Sequence, residues 1–176
     1  MRRTLKIALV LCAAAAGPAQ AAAYIATSPG LDTVNHRILA AHNSARADVG
    51  APPLQWDPGL AIAAASYGPS LSRVGQLVHS PRAGRENQRE NLWMGQQGRF
   101  HPEQMIAAWT DEKRQFLPGQ FPNVSRTGNW ADVAHYTQMI WKGTTHVGCA
   151  IYRDGKWDYL ICRYSPPGNR DGSRVP

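Results

Sequence analysis

The sequence predicts an α+β fold, with helices through most of the chain and a β-hairpin near its C-terminal end. Three observations support this prediction. Apolar side chains recur at helical spacing in four segments before residue 142. Two runs rich in β-branched and aromatic residues follow, over residues 145–152 and 157–164. No internal repeat or low-complexity tract divides the chain, so a single domain is expected.

The first two predicted helices are separated by a proline-rich turn. The first runs from residue 33 to about residue 48, and the segment Gly-Ala-Pro-Pro at 50–53 ends it. The second begins at Asp57 and Pro58, because aspartate is a preferred N-cap residue and proline suits the first helical position. It continues to Leu71 and stops before residue 79.

The third predicted helix runs from residue 102 to about residue 116 and places a carboxylate on an apolar face. Glu112 shares that face with three apolar residues, Met105, Trp109 and Phe116, at spacings of i, i+4, i+7 and i+11. An unpaired buried carboxylate is costly, so Glu112 needs a cation, a metal or strong hydrogen-bond donors. The alternative is that the helix ends near residue 111 and leaves Glu112 exposed.

The fourth predicted helix surrounds His135. Val133, Tyr136 and Ile140 stack at i, i+3 and i+7, so the helix turns an apolar face inward. His135 lies beside that face, near the core and within reach of a cleft. A histidine beside an apolar stripe is more often a hydrogen-bonded core residue than a ligand, so this segment alone leaves its role open.

The hairpin carries Cys149 and Cys162, an even pair that suits one disulfide in an oxidising compartment. Two turns are compatible with the sequence. A two-residue turn at Asp154 and Gly155 would place the cysteines only diagonally across the hairpin. A four-residue loop over residues 154–157 would place them directly opposite each other. We predict the disulfide and leave the choice of turn open.

The first 21 residues have the layout of a secretory signal peptide. Arg2, Arg3 and Lys6 precede an apolar run over residues 7–16, and the segment Ala-Gln-Ala at 19–21 fits a cleavage site. The run is too short to span a bilayer, and no later segment is long and uncharged enough. We therefore expect no transmembrane segment, a flexible lead-in over residues 22–32, and a monomer that is secreted, extracellular or periplasmic.

The charge of the chain argues against nucleic acid as a partner. The formal net charge is +7, and it falls to about +4 without residues 1–21, which hold three basic and no acidic residues. The remaining arginines form no basic stripe interleaved with aromatic residues. The densest group, Arg82, Arg85 and Arg89, is interspersed with Glu86 and Glu90 and is expected to be a solvated loop.

Several separated segments together resemble the CAP superfamily, which comprises cysteine-rich secretory proteins, antigen 5 venom allergens and plant pathogenesis-related class 1 proteins. The segment Ala-His-Tyr-Thr-Gln-Met-Ile-Trp at 134–141 is similar to the first family signature, and residues 159–169 are similar to the second. Shorter matches follow the family's order at residues 41–46, 54–58, 77–80, 90–92, 109–112 and 147–149. The resemblance spans about residues 33–170, and residues 171–176 follow as a C-terminal tail.

The resemblance implies a three-layer α-β-α sandwich, in which helices cover both faces of a small antiparallel sheet. It also implies a central cleft that holds two histidines and two acidic residues. Matched motif by motif, these correspond to His79, Glu90, Glu112 and His135. The resemblance thereby implies a partner for Glu112. The helical spacing indicated that such a partner is needed but could not identify it.

The sequence departs from the family pattern in two places that bear on function. Arg170 occupies a position where an apolar or amide residue is common. The cysteines that pair with the equivalents of Cys149 and Cys162 in relatives with several disulfides have no counterpart in this sequence. The native bonding pattern of those relatives therefore cannot be transferred, and the two cysteines either pair with each other or remain free.

Two neutral imidazoles beside carboxylates can bind a divalent cation such as Zn²⁺ while leaving positions for water or substrate. In this hypothesis His79 and His135 are the direct ligands. Glu90 and Glu112 orient the imidazoles or contact the metal through water. The alternative is a metal-free cluster, in which two His–Glu pairs only hold the helices to the sheet.

Three classes of function follow. The first, implied by the resemblance, is a binding module for a metal, a lipid or sterol, or a cell-surface component. The second is a hydrolase that uses the same four residues. Ser80 beside His79 suggests a nucleophile, but the sequence contains no H-E-x-x-H or G-x-S-x-G segment. The third is a protein–protein interaction factor in defence or virulence. A binding module is favoured over a catalyst.

Overall fold

The computed structural model describes residues 33–176, which form four α-helices and six strands. The predicted signal peptide and lead-in, residues 1–32, lie outside the described residues. The helices are α1 (Thr33–Ala47), α2 (Pro58–Val74), α3 (Pro102–Thr110) and α4 (Ala134–Met139). The strands are β1 (Gln55–Trp56), β2 (Arg89–Gln96), β3 (Gly119–Gln120), β4 (His146–Arg153), β5 (Trp157–Ser165) and β6 (Arg174–Val175).

The main sheet has the strand order β1-β4-β5-β2. Strands β2, β4 and β5 are antiparallel, as the family resemblance implies for the sheet, and the two-residue edge strand β1 runs parallel to β4. The sheet is therefore mixed, although its three long strands form an antiparallel unit. Strands β3 and β6 form a separate antiparallel pair.

Helices cover both faces of the main sheet, which confirms the predicted α-β-α sandwich. Helix α2 packs on one face against β4 and β5, and α1, α3 and α4 lie on the other. Side chains of β5 alternate between the two cores, since Tyr159 and Ile161 pack with α2 whereas Leu160 packs with α1 and α3. Helix α2 approaches β4 closely at Gly148, where an added Cβ would lie 2.3 Å from the backbone nitrogen of Ala61.

The predicted start of α2 is confirmed. The Asp57 side chain accepts a hydrogen bond from the backbone N–H of Leu60 at 2.9 Å, and Pro58 occupies the first helical position. The helix runs past Leu71 to residue 74. Gly75 then ends it in the left-handed conformation, with φ of 66°, and donates its N–H to the carbonyl of Leu71.

The hairpin of β4 and β5 has the four-residue loop. Cys149 pairs directly with Cys162 in the register of the two strands, and a disulfide joins them. The Asp154 carboxylate explains the choice of turn, because it accepts hydrogen bonds from the backbone N–H groups of Lys156 and Trp157 at 2.9 and 2.8 Å. The predicted disulfide is therefore confirmed.

A third cluster of buried side chains lies beside the sandwich. Val133, Tyr136 and Ile140 are buried in it, as the spacing around His135 predicts. Val175 of β6 is also fully buried there, against Phe121. The segment 171–176, predicted as a C-terminal tail, thus packs onto the domain through β6.

Candidate functional site

Two His–Glu pairs meet at one cleft of about 570 Å³. Nδ1 of His79 lies 2.9 Å from Oε1 of Glu90, and Nδ1 of His135 lies 2.6 Å from Oε1 of Glu112. His79, Glu90 and His135 line the cleft, whereas Glu112 reaches it only through His135. The structure thus brings together the four residues that the family resemblance implies.

Glu90 is held at the start of β2 by several donors. Its side chain is fully buried, and it accepts hydrogen bonds from the backbone N–H of Ser80 at 3.0 Å and the hydroxyl of Ser80 at 2.8 Å. The Arg163 guanidinium lies 3.5 Å from its second oxygen. Burial raises the pKa of Glu90, but hydrogen bonds from His79 and Ser80 outweigh burial and hold the pKa below its usual value. Glu90 is therefore a fixed, ionised acceptor.

Glu112 is held where α3 ends. The α-helix stops at Thr110, and a 3₁₀ segment over residues 111–115 continues it. The side chain of Glu112 is nevertheless only 17% exposed. Its Oε2 accepts the backbone N–H groups of His135 and Tyr136, both at 2.9 Å, in the first turn of α4. The α-helix thus ends earlier than the predicted residue 116, and only a 3₁₀ segment continues to residue 115. The alternative placed the helix end near residue 111 correctly, but the exposure of Glu112 that it expected does not occur, because Glu112 pairs with His135.

The carboxylates determine which nitrogen of each imidazole keeps its lone pair. An ionised carboxylate can only accept hydrogen bonds, so the hydrogen-bond network assigns the hydrogen of both His79 and His135 to Nδ1. Nε2 of each ring then carries the lone pair. The side chains are 55% and 32% exposed, respectively, so both rings are accessible from solvent. Stacking on Trp109, with 5.7 Å between ring centroids, further fixes the ring of His135.

The two signature segments contact each other at α4. The Asn169 side chain donates to the carbonyl of Ala134 and accepts from the hydroxyl of Thr137, both at 2.8 Å. The backbone N–H of Gly168 donates to the Gln138 side chain at 3.0 Å. A Cβ at Gly168 would also lie 2.8 Å from Cγ of the Trp141 indole, so the close approach favours glycine. The sequence identified both segments but not this contact.

A buried chain of hydrogen bonds connects α1 to the site. His42 accepts the Tyr164 hydroxyl at its Nε2, 2.8 Å away, because its Nδ1 donates to the carbonyl of Ile38. The Asn91 amide donates both to the Tyr164 hydroxyl and to the carbonyl of His135, at 3.2 and 3.1 Å. Complete burial lowers the pKa of His42 from 6.5 to about 4, so this imidazole is neutral at ordinary pH.

Ser80 does not have the contacts of an activated nucleophile. Its hydroxyl donates to Oε2 of Glu90 and accepts from the Arg163 guanidinium at 3.2 Å, and the residue is buried. The imidazole of His79 directs Nδ1 to Glu90 instead. The Ser80 hydroxyl therefore positions Glu90, and the suggestion of a nucleophile gains no support from the geometry.

Comparison with known proteins assigns the family. The model of the CAP family, described as "Cysteine-rich secretory protein family", matches residues 39–164. The chain belongs to the CAP family. Pathogenesis-related protein 1B of Nicotiana tabacum is 38% identical over 133 residues, which is 74% of each chain. A pathogenesis-related protein of the PR-1 type from Sambucus nigra is 35% identical over 138 residues, 76% of this chain and 77% of that protein.

Solved structures agree with the CAP fold. The crystal structure of NaASP2 with Zn²⁺ matches with a TM-score of 0.70 and 23% identity, covering 85% of this chain and 88% of that one. The structure of BmVAL-1 matches with a TM-score of 0.67 and 21% identity, covering 85% of each chain. Likeness at this level of identity establishes the fold alone. Among residues 33–176, the CAP domain has no helix with the length and apolar character needed to cross a membrane.

The CAP cleft is also lined by arginines that the sequence did not place there. Arg82, Arg85 and Arg89 all line it, together with Arg170. Arg85 is only 9% exposed, and its Nε donates to the carbonyl of Ser80 at 2.9 Å. The prediction of a solvated loop is therefore wrong for Arg85, because the backbone before β2 folds its guanidinium against the site.

A second cluster of metal-binding residue types does not fit a metal. Among residues 33–176, His42, Cys149 and Cys162 are the one group of three such residues whose ligand atoms all lie within 4.8 Å of one another. The two sulfurs are bonded to each other, and both nitrogens of His42 are engaged in hydrogen bonds. The cluster therefore lacks both the thiolates and the free imidazole nitrogen that a metal needs.

Proposed function

We propose that this CAP domain binds a divalent cation, Zn²⁺ in particular, through Nε2 of His79 and Nε2 of His135. The observation that carries the proposal is the pairing of each Nδ1 with a carboxylate. Histidines that ligate metals usually donate their other ring N–H to such a group, which fixes the tautomer and raises the basicity of the ligating nitrogen. The crystal structure of NaASP2 with Zn²⁺ supports this chemistry through a protein of the same fold.

The donor set suits zinc with open coordination positions. Two neutral imidazoles provide two ligands, and zinc usually takes four, so water or a bound molecule would complete the coordination. Glu90 and Glu112 are occupied by their own hydrogen-bond donors. Their proposed role is therefore to orient the imidazoles. When bound, zinc would supply a positive charge and polarise water or an oxygen of a ligand.

The rest of the site keeps the imidazoles in position. Trp109 stacks on the ring of His135, and the Asn91 side chain restrains the same segment by donating to the carbonyl of His135. Ser80 bonds to Glu90 through both its N–H and its hydroxyl. These contacts reduce the conformational entropy that the two imidazoles lose when a cation binds.

We further propose that the protein acts outside the cytoplasm, as a binding protein with a role in defence or interaction with other cells. Residues 1–21 have the layout of a secretory signal peptide, and a disulfide joins Cys149 and Cys162. The relatives from Nicotiana tabacum and Sambucus nigra are named pathogenesis-related proteins. A hydrolase remains the alternative if zinc activates water in the cleft.

Calorimetric titration with Zn²⁺ tests the metal site. At neutral pH, one ion is expected to bind with micromolar or tighter affinity. Binding should weaken strongly about two pH units lower, because only neutral imidazole ligates a metal. The double variant His79→Ala with His135→Ala should abolish binding, whereas the control His36→Ala with His146→Ala should not change it. Equal affinity in the wild type and in the His79/His135 variant would refute the proposal.

A second candidate function is lipid binding at a different groove. A cavity of about 660 Å³ lies between α1, α2 and the start of α3. Ile62 and Phe100 line it and are 72% and 41% exposed, so the groove offers an apolar surface to solvent. If this groove holds a fatty acid or sterol, that binding should survive in the His79/His135 double variant.

A further inference from the structure

The cleft of the two histidines has a positively charged lining that the metal proposal does not use. Four arginines line it, namely Arg82, Arg85, Arg89 and Arg170. Two carboxylates, Glu90 and Asp171, are also in the lining. The cationic groups therefore outnumber the anionic ones even while both histidines are neutral.

Within residues 33–176, these four arginines form no direct ion pair with a carboxylate. Glu90 already accepts hydrogen bonds from His79 and Ser80 and lies beside Arg163. In the part of the chain that the structure describes, none of the four arginines has a carboxylate oxygen within 4.0 Å. Burial and the positive charges of the other three arginines both lower the pKa of Arg89, and Asp171 opposes them. Such an array of like charges favours an anion as its occupant.

An exposed tryptophan lines the same cleft. Trp130 is 44% exposed, although its ring packs edge to face against the buried Phe121 at 5.4 Å between centroids. The loop before it is fixed, because the Asn129 side chain accepts from the N–H of Ala131 and donates to Asp132, both at 3.1 Å. A fixed, exposed indole provides a flat apolar surface and one N–H donor at low entropic cost.

We propose that this cleft binds an acidic oligosaccharide, a short chain of sugars that carry carboxylate or sulfate groups. Guanidinium groups form paired hydrogen bonds with such anions, and the indole of Trp130 would contact the apolar face of a sugar ring. The volume of about 570 Å³ is within the range of pockets that hold small ligands. A simple inorganic anion would use the arginines alone and leave the indole without a function.

The inference extends the proposed function at the same cleft but does not depend on a bound metal. The arginines and Trp130 are distinct from the two histidines, so loss of one kind of binding need not remove the other. A metal ion between the imidazoles would add to the positive charge and strengthen the attraction for the anion. We therefore expect the acidic oligosaccharide to bind in the presence of a chelator, when no metal occupies the cleft.

Calorimetry with defined tetrasaccharides in a chelating, low-salt buffer tests the inference. The probes are tetragalacturonate, which carries carboxylates, and a sulfated heparin tetrasaccharide. Maltotetraose is the neutral control. We expect saturable one-to-one binding of at least one acidic probe, no binding of maltotetraose, and loss of affinity as salt increases. The two acidic arms distinguish carboxylate from sulfate recognition. Absence of binding by both acidic probes would overturn the inference.

Matched variants locate the binding. Arg82→Ala with Arg170→Ala removes two exposed cleft charges and should lower affinity at least about tenfold. Trp130→Leu should lower it several-fold as well. The control Arg73→Ala with Arg99→Ala removes the same charge outside the cleft and should leave affinity within about twofold. Equal losses of saccharide affinity in the control would overturn the inference. Binding of a single-stranded oligonucleotide that is equally tight in the wild type and in Trp130→Leu would overturn it as well, because the cleft would then attract any polyanion by charge without using the indole.

Zinc titration of the same arginine variant separates this inference from the proposed function. The Arg82/Arg170 variant should bind Zn²⁺ at least as well as the wild type, because removal of nearby positive charge does not disfavour a cation. Saccharide binding that disappears while zinc binding persists supports the arginine lining as the anion site. Zinc binding that disappears in this variant would contradict the independence of the two sites.

Discussion

Glu112 performs two tasks with two different oxygens. Oε1 accepts the Nδ1 hydrogen of His135, and Oε2 accepts the backbone N–H groups of His135 and Tyr136. The same side chain therefore sets the tautomer of a proposed ligand and holds the first turn of its helix. The two tasks should be measurable separately. Loss of the tautomer control should lower metal affinity, and loss of the contacts to the helix should lower the free energy of unfolding.

Glu112→Gln should lower zinc affinity about 10–100-fold. If the glutamine oxygen keeps the two backbone N–H groups, its NH₂ group faces Nδ1 of His135. The imidazole must then accept at Nδ1, which moves its hydrogen to Nε2 and removes the lone pair that a metal needs. Zinc titration checks affinity, and urea unfolding should reveal a loss of about 1–3 kcal/mol.

The control for this substitution is Glu103→Gln, at an exposed glutamate of α3 that pairs with Arg37. It removes the same charge far from the His135 imidazole and should leave zinc affinity unchanged. Wild-type zinc affinity in Glu112→Gln would contradict the role given to this carboxylate in the site.

At the level of single residues, helical spacing predicted which side chains need a partner. It could not predict contacts between residues that are far apart along the chain. The helical spacing around Glu112 indicated a need for donors, and the family resemblance supplied His135 as the partner. The spacing around Arg46 gave no comparable indication of its hydrogen-bond partners. Its fully buried guanidinium donates to the carbonyls of Pro52, Met139, Trp141 and Thr144 at 2.6–3.0 Å, and burial lowers its pKa to about 10. Three of these four carbonyls lie more than 90 residues from Arg46 along the chain, so only the packed fold brings them to it.

Helix α1 is connected to β5 and to α4 through the buried imidazole of His42. The unfolded chain takes up a proton at His42 below pH 6.5, whereas the folded protein takes it up only near pH 4. The unfolded state therefore binds more protons between these values, and folding stability must fall as pH decreases through this window.

The contribution of His42 to this loss should be about 3 kcal/mol between pH 7 and pH 4. His42→Gln removes the titrating group and should flatten the pH dependence of the unfolding free energy, although it lowers stability at pH 7. Urea unfolding across pH 4–7 measures both effects. His36→Gln, at a half-buried histidine of the same helix, should retain the wild-type slope. An unchanged slope in His42→Gln would contradict this account.

At the scale of elements, local signals were sufficient for helix starts and for the hairpin. Asp57 and Pro58 identified the start of α2, and the composition of residues 145–164 identified β4 and β5 within one residue at each end. Strand β2 was not predicted. Its buried residues are consecutive, from Glu90 to Leu92, and two of them are polar, so no alternation of apolar residues is present.

The whole molecule assembles the cleft from parts that are far apart in sequence. The segment around residue 79, strand β2, helix α4 and the loop at residues 169–171 all contribute to its lining. The family resemblance predicted the layers and the four central residues. It could not predict the arginine lining, because Arg170 departs from the family pattern and joins Arg82 and Arg89 only in the folded chain. The arginine lining, the most specific chemical property of the cleft, is thus set by tertiary structure.

Anomalous diffraction from crystals soaked in Zn²⁺, measured at the zinc absorption edge, would locate the metal directly. We expect one strong peak in the cleft, with Nε2 of His79 and Nε2 of His135 both at about 2.0–2.1 Å from the zinc. Each Nδ1 should retain its carboxylate partner. A cleft without a peak, or zinc bound only at other histidines such as His36 or His101, would contradict the assignment of these two imidazoles as metal ligands.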